Sequence, residues 1–457
     1  MAINIINNRR QTNWYIIKGG VSWLWILIEL KQHISRLRNG YLHKQILFCI
    51  VLFYGCIVQA QDTTHISLSQ LIQKVETNYP SIIQYQYNIQ SIQAKAAGAK
   101  SWMPPTFSTG FMRFPYNLMM IKEKNNPMNQ AGIAFSLEQM IPNTAKLNAK
   151  INYINSLSEI EQSKSDWTKN ELRRESKILY YNRYVTEKKQ TIINESEDLL
   201  KLLLTTAEEK FSNNQSKLQT IYKAKARLTE LGNMQLMLKQ TLEESNIGIN
   251  TLLLRDVNTS FEIDTLIVPN QYANSLTDTG SVSSRSDITV VSKYIASMKL
   301  EQKVMQKGNL PDFGVRAEHA QMFGMPNQWT VMGMMTIPIV PWSSKMYRSE
   351  TKSIGFQIQS MEQEKLTMEL MAKRMLSEKL VMLNYETKQY DNYTKKIIPA
   401  FENNLQANLL AYKQNTGDFF VLLDAWEMLL MKKIEAYDKL FNILKLEAEY
   451  EYEKEIR

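Results

Sequence analysis

One stretch decides the fold of this 457-residue chain: GIAFSLEQMIP, at residues 132–142. Ile133, Phe135 and Leu137 alternate with small or polar side chains, which is the period of two expected of a β-strand with one apolar face. A similar run precedes it at 104–114, where two prolines open the strand. The two runs together predict a β-hairpin that spans residues 105–142.

A second pair of strands is predicted at residues 311–338. It begins at Pro311-Asp312-Phe313, which corresponds to Pro105-Thr106-Phe107 in the first pair, and it ends at Ile337-Pro338, which corresponds to Ile141-Pro142. The offset between matching positions is roughly 200 residues throughout, which is too long for a solenoid repeat. We therefore interpret the chain as a duplicated unit whose two copies are halves of one architecture.

Most of the remaining chain is predicted to be helical. Between Pro142 and about Lys210 the chain contains no further proline and no glycine, so one helix with a length on the order of 100 Å is expected. The polar run 212–216 ends it, and a second helix is predicted from Leu218 to Leu254. A helix this long needs neighbours along its length.

The last helix carries a coiled-coil seam. Its apolar residues follow alternating steps of four and three, with Lys433 at the one skipped position. These residues are Leu422, Trp426, Leu429, Ala436, Leu440 and Ile443. The pattern indicates that helices pair, and by itself it does not say with which partner.

The boundaries that follow divide the chain into four parts. Residues 1–60 are a leader, 61–255 the first repeat, 256–285 a linker rich in Asn, Asp, Ser, Thr and Gly, and 286–457 the second repeat. Within the leader, residues of about 42–60 have the basic flank, short apolar core and small-residue exit of a secretory signal peptide. A transmembrane anchor is the alternative, but the apolar run is shorter than the roughly 20 residues of a spanning helix.

Charge and cysteine content exclude several classes of protein. The formal net charge is +9, but residues 1–60 hold seven Lys or Arg and one acidic residue, so most of the excess lies in the leader and no nucleic-acid partner is predicted. Both cysteines, Cys49 and Cys56, also lie there, which excludes disulfide scaffolds and thiolate metal sites from the rest of the chain. Cys56 as a lipidation site is an open alternative.

The strands are long enough to cross a membrane as tilted barrel strands of roughly ten residues. Four strands cannot close a barrel in lipid, because open edges leave unpaired amides, so self-association must supply the missing strands. Three copies would give twelve. The alternative is a soluble helical protein with two surface hairpins.

At this point the sequence resembles the TolC family of outer-membrane efflux proteins, and within it the CusC-like branch. The resemblance covers Ile66 to about Glu451 and departs from the family at Ala145, where a glycine is common. The motifs that carry it are Asn78-Tyr79-Pro80, Trp102-Met103-Pro104-Pro105, Gln139-Met140-Ile141-Pro142, Ile249-Asn250-Thr251-Leu252-Leu253, Leu310-Pro311-Asp312-Phe313 and Leu423-Asp424-Ala425.

The resemblance implies a mostly α protein with membrane β-strands, built from TolC-like duplicated helix, β-hairpin and helix units. Three copies would form a trimeric 12-stranded β-barrel continued by a long α-helical coiled-coil tunnel. The function implied is the outer-membrane channel of a tripartite efflux system in a Gram-negative bacterium, with its helices in the periplasm. Its partners would be a periplasmic adaptor, also called a membrane fusion protein, an inner-membrane RND-type pump and outer-membrane lipid, and no cofactor is implied.

The closed periplasmic entrance is expected at the two helix turns, 212–216 and 414–418. Asp424 resembles an acidic residue that rings this entrance in relatives, and three such carboxylates would favour cations. The alternatives are an exposed helix acid for Asp424 and a helix cap for Asp418. Together with Gly417 and Ser216, these residues are the candidate entrance.

Two further hypotheses concern cargo and class. The chain has 24 methionines, and nine lie around the hairpins, where thioethers could carry Cu(I) or could simply fill apolar positions. These are Met112, Met119, Met120, Met128, Met322, Met325, Met332, Met334 and Met335. No catalytic motif is present, so no enzyme is predicted. A periplasmic coiled-coil adaptor or structural protein is the remaining alternative.

Overall fold

Two helix and strand units follow each other along the chain in the computed structural model, which describes residues 64–213, 216–270, 272 and 282–456. The predicted signal peptide, about 42–60, and both cysteines lie outside the described residues. The first unit contains β1 Thr64–Ile66, α1 Leu68–Asn78, α2 Pro80–Gly98, β2 Thr106–Met112, β3 Gly132–Ile141, α3 Thr144–Ser212 and α4 Leu218–Leu252.

The second unit repeats the order of helix, two strands and long helices. It contains β4 Phe261–Ile263, α5 Ser286–Lys307, β5 Phe313–Met322, β6 Gln328–Met335, α6 Pro341–Asn392, α7 Ile398–Lys413 and α8 Phe419–Lys454. A π-helical turn, Tyr393–Ile397, joins α6 to α7 just before Pro399, which has no N–H to donate to the preceding turn. The fold of mostly α with duplicated helix, β-hairpin and helix units is as predicted.

The four long strands form one antiparallel sheet in the order β2-β3-β5-β6. Each predicted hairpin is present, and the sheet continues across the two repeats because β3 pairs with β5, with Leu137 opposite Ala317. The strands begin and end within a few residues of the predicted bounds. The pairing of the two halves was not predicted from the sequence.

Helix ends follow the expected capping chemistry. Ser67 caps α1 through a capping box with Gln70, Pro80 opens α2, and Asn143 caps α3 by accepting from the N–H of Ala145 at 2.9 Å. The 69-residue α3 ends at Ser212, close to the predicted Lys210. None of the helices in the described residues is both long and apolar enough to cross a membrane.

The coiled-coil seam of α8 is buried as predicted. All six seam residues, from Leu422 to Ile443, are at most 8% exposed. Lys433, at the skipped position, forms an ion pair with Glu402 of α7 at 2.9 Å. The first three seam residues pack with Leu200, Leu203 and other apolar residues of α3 into the largest core cluster, and Leu440 belongs to a second one.

A second core lies where β1 and β4 pair in parallel. The hydroxyl of Tyr180 in α3 holds both strands, since it lies 3.0 Å from the carbonyl of Ile66 and 2.8 Å from Oδ2 of Asp264. The predicted linker, 256–285, therefore contains a short strand as well as irregular chain. Three-residue strands carry no periodic pattern, which is why the sequence did not indicate them.

The last turns of α8 bury a pair of carboxyl groups. Lys177 pairs with Glu451, and Tyr272 donates to the same carboxylate at 3.0 Å. Glu447, one turn earlier, is only 2% exposed, and its Oε1 has no hydrogen-bond partner among the described residues. Burial raises the pKa of Glu447 to about 8, because desolvation disfavours the charged form.

This burial predicts a stability that falls with rising pH. The unfolded chain ionises Glu447 above its ordinary pKa of 4.5, whereas the folded chain keeps it protonated to about pH 8. The free energy of unfolding should therefore fall as the pH rises from 4.5 to about 8. Relative to wild type, Glu447→Gln should raise the free energy of unfolding by several kcal/mol at about pH 8 and by little at about pH 5. Thermal unfolding against pH measures this. Equal pH slopes for wild type and variant would contradict it, with the exposed Glu209→Gln as control.

Candidate functional site

The sheet has one apolar face, which is exposed. The register brings alternate residues of all four strands onto this face, and Phe111, Trp329 and Leu137 are 73%, 77% and 51% exposed. Its other large apolar members are Phe107, Ile133, Phe135, Ile141, Phe313, Val315, Val331 and Met335. An apolar patch of this extent does not normally remain in contact with water, so this face requires a covering apolar medium or partner.

The opposite face is polar and more sheltered. Ser136 is only 5% exposed and lies 2.6 Å from the hydroxyl of Ser108 on the neighbouring strand. Arg316 and Glu318 lie on this face too, with 3.4 Å between Nη2 and Oε2. The alternation predicted for the strands is therefore present, and the charges of the polar face come from β3 and β5.

Both edges of the sheet are open in the part of the chain that the structure describes. There β2 and β6 each pair on one side only, so each presents a row of backbone N–H and C=O groups without a partner strand. An unpaired edge next to an apolar face is the arrangement that self-association would complete.

Asp312 joins the sheet to the long helices. Its carboxylate accepts from the N–H of Asn143 at 2.8 Å and from Lys146 Nζ at 2.7 Å, at the start of α3. Its backbone exchanges hydrogen bonds with Thr336 at the end of β6, at 2.8 and 2.9 Å. One residue therefore ties together the ends of three strands and the cap of the longest helix. Asp312 belongs to a motif named in the sequence, but its contacts with the helix were not predicted. The available signal was Asn143, since an Asn directly after Pro142 is a recognisable helix cap.

The charge of Asp312 is favoured at this joint. Partial burial alone would raise the pKa of its carboxyl, but the hydrogen bonds from Lys146 and Asn143 outweigh it and lower the pKa below its ordinary value. The folded chain therefore stabilises the ionised form.

At the other end of the helices, the two predicted turns lie side by side. Lys210 of α3 donates to the carbonyl of Tyr412 at 2.6 Å and to Oδ1 of Asn415 at 2.7 Å. Ser216, which is half-buried, lies close to Tyr412. Residues 214 and 215 of the first turn lie outside the described residues. Lys210 was not predicted, since a lysine at a helix end usually serves the helix dipole alone.

Asp418 and Gly417 shape the second turn. Asp418 is the N-cap of α8 and accepts from the N–H of Phe420 at 2.6 Å, which confirms the capping alternative given for it. Asn415 adopts φ 60°, and the N–H of Gly417 donates back to the carbonyl of Ala411 at 3.0 Å. A Cβ at Gly417 would lie 3.1 Å from the backbone of both Ala411 and Tyr412, so the turn requires glycine there.

Asp424 is exposed on α8, between buried Leu423 and Ala425. The pKa of Arg227 on α4 is raised chiefly by its hydrogen bond to Glu230, and the charge of Asp424 adds to this effect. Asp424 thus lies on the surface of the helix pair near the turns. In the described part of the chain, no three His, Cys, Asp or Glu side chains are grouped as metal ligands would be.

The fold is that of known outer-membrane channels. No family model and no curated protein matches the sequence. Among solved structures, VceC from Vibrio cholerae has 13% identity and a TM-score of 0.67, covering 84% of this chain and 95% of its own. CusC has 11% identity and a TM-score of 0.68, covering 84% and 91%.

CmeC from Campylobacter jejuni has 14% identity and a TM-score of 0.64, with 84% and 85% covered. The three TM-scores differ little, so the fold does not separate a CusC-like branch from the others. The likeness shows that this chain has the TolC-like fold, as predicted.

Substitution of Asp312, which joins the sheet to the helices, should lower the stability of the chain at neutral pH. Asp312→Asn removes the charge that Lys146 compensates, which should lower the free energy of unfolding by about 1 to 3 kcal/mol at pH 7. Because the folded pKa is lowered, the difference from wild type should vanish as acid protonates the carboxyl. Thermal unfolding at pH 7 and at successively lower pH values below 3.8 tests this. Asp391→Asn, which removes an exposed pair with Lys395, is the control, and equal losses in both variants would contradict the prediction.

Replacement of glycine by alanine should have opposite effects on stability at Gly417 and at Gly232. Gly417→Ala places a methyl group against backbone atoms and should destabilise the chain by about 1 to 3 kcal/mol. Gly232→Ala, in the interior of α4 with nothing within 4 Å, should instead stabilise it by up to about 1 kcal/mol. Thermal unfolding in detergent compares the two. A stabilising Gly417→Ala would mean that the turn does not need glycine.

Proposed function

We propose that this chain is the outer-membrane channel component of a tripartite efflux system in a Gram-negative bacterium and conducts its cargo passively. The observation that carries the proposal is the sheet with an exposed apolar face, two open edges and long helices leaving from one end. In lipid, apolar side chains are solvated by acyl chains and every edge must be paired. A closed barrel meets both needs.

A homotrimer completes the barrel in this proposal. Each chain supplies four strands, so pairing β2 of one copy with β6 of the next three times closes a ring of twelve. The apolar face then contacts outer-membrane lipid, and the polar face with Ser136 and Arg316 lines the lumen. The helices α3, α4, α6, α7 and α8 continue the lumen as a tunnel in the periplasm.

The partners follow from the helix turns. The structures with this fold include proteins described as outer-membrane channels, such as OprN and CmeC. For this chain we propose that the end formed by Ser216, Gly417 and Asp418 meets a periplasmic adaptor, which connects it to an inner-membrane RND-type pump. The described turns are compact and polar, which suits contact with another protein in water.

Heavy-metal cations are one cargo class in this proposal. The register places four of the nine methionines near the hairpins on the polar face, where cargo would pass: Met112, Met322, Met332 and Met334. Met335 lies on the apolar face, where an ordinary apolar role explains it. Soft cations such as Cu(I) are the metals that thioethers prefer.

The rival adaptor function fits the sheet less well. An adaptor in the periplasm has water on all sides, and an apolar face with Trp329 and Phe111 more than 70% exposed would promote aggregation there. The duplicated hairpins also have no role in a single helical coiled coil. The two functions differ in whether extraction from the membrane needs detergent.

The candidate entrance predicts a cation-dependent pore. The purified mature chain, incorporated in a planar bilayer, should open as trimers that divalent cations block. Asp424→Ala should raise the blocking concentration by about tenfold, which corresponds to about 1.4 kcal/mol, because it removes the carboxylates of the proposed ring. Asp438→Ala is the control, since Asp438 is exposed on the same helix, about four turns further from the helix turn.

The outcomes separate the pore from its entrance. A pore whose block is unchanged in Asp424→Ala would leave the channel in place and remove Asp424 from its entrance. A chain that forms no pore and stays soluble without detergent would overturn the channel and favour the adaptor.

A further inference from the structure

The formally charged side chains of the four long strands lie on one face of the sheet. Glu138 in β3 and Arg316 and Glu318 in β5 belong to the polar face, and the apolar face carries only His319 as a titratable group. In the channel proposed above, the polar face lines the lumen. The lumen of the barrel therefore receives all three charges.

The three charges form one compact band, defined by Glu138, Arg316 and Glu318. Glu138 lies directly opposite Arg316 in the register, and Ser136 lies directly opposite Glu318. Arg316 Nη2 is 3.4 Å from both Glu318 Oε2 and the hydroxyl of Ser136. Residues directly opposite in an antiparallel pair have neighbouring Cβ atoms, so the charges are fixed within two adjacent rows of the sheet.

The rows on either side of the band are uncharged. Toward the helices the next row contains Met140, Gly314 and Met334, and toward the hairpin loops it contains Ala134 and Ala320. The band is thus the place along the strands where the polar face carries a fixed field.

We propose that this band sets a cation preference in the barrel part of the pore, separate from any effect of Asp424 at the other end. This inference rests on the proposed channel function and deepens it by naming small cations as the favoured mobile ions. The band holds two carboxylates for each guanidinium, so its net charge is negative in every chain. A surface lined by one sign of net charge concentrates the opposite ion near it.

Arg316 moderates the preference. Its guanidinium lies beside Glu318, with Glu138 directly opposite in the register, and cancels part of the field of the carboxylates. Its side chain is about as accessible as that of Glu318, at 35% against 25%. Removing Arg316 and removing the carboxylates must therefore shift the preference in opposite directions. Damage to the barrel would shift both variants in the same direction.

The test is the reversal potential of the purified mature chain in a planar bilayer under a KCl gradient. The work is done at low ionic strength, because the field of exposed charges decays within about 10 Å at 0.1 M salt. Wild type should prefer K⁺. Arg316→Gln should raise the K⁺ to Cl⁻ permeability ratio by about twofold, and the double variant Glu138→Gln with Glu318→Gln should lower it below the wild-type value by about twofold or more.

Controls and outcomes follow from the same measurement. Glu262→Gln, on β4 and away from the long strands, should leave the ratio unchanged. Normal single-channel conductance in each variant shows that the barrel has assembled. If wild-type conductance is present but the two charge variants keep the wild-type ratio, or shift it the same way, the band does not set the preference. If the wild type forms no pore, the channel itself is overturned, and the band with it.

Discussion

The structure depends on one joint, where Asp312 holds the sheet to the helices. A β-hairpin that continues directly into a helix must change its backbone hydrogen bonding from the neighbouring strand to its own next turn. At that change some N–H groups have no partner in either element. The carboxylate of Asp312 accepts from the cap residue Asn143 and from Lys146, and its backbone pairs with Thr336. Because Asp312 comes from the second repeat and Asn143 from the first, the same contacts also fasten the two halves together.

Most of the local structure could be predicted from the sequence, because each element carries its own signal. The alternation around Phe135 marks a strand, the absence of proline and glycine after Pro142 marks a long helix, and the seam from Leu422 to Ile443 marks a buried helix face. The features that were missed depend on distant contacts. The pairing of β3 with β5, the short β1 and β4 strands and the burial of Glu447 each need a partner that lies far away in the chain. Of the candidate site, the position of the turns and the cap at Asp418 were predicted, whereas Lys210 and Asp312 were not.

The two ends of the long helices present surfaces of opposite polarity. At the sheet, Phe111 and Trp329 lie on the exposed apolar face and the polar side chains lie on the opposite, more sheltered face, which is the reverse of a protein in water. At the turns, Leu422 and Trp426 pack inward against α3, and Lys210 and Asp418 satisfy the backbone groups of the turns. One chain thus presents an apolar surface at one end and a polar surface at the other. The long helices separate these surfaces by on the order of 100 Å.

A channel that performs no chemistry can discriminate among ions only through shape and fixed charge. Fixed charges act on a passing ion only where side chains are partly exposed and held in place. The carboxyl groups of this chain differ in exposure and therefore in charge. Glu447 is buried, protonated near neutral pH and therefore without a field. Glu318 and Glu138 are partly exposed on the polar face of the sheet, where Arg316 and the strand register hold them. Asp424 is exposed near the turns. The folded chain thus keeps one carboxyl group uncharged inside its core and others exposed where an ion would pass in the proposed channel.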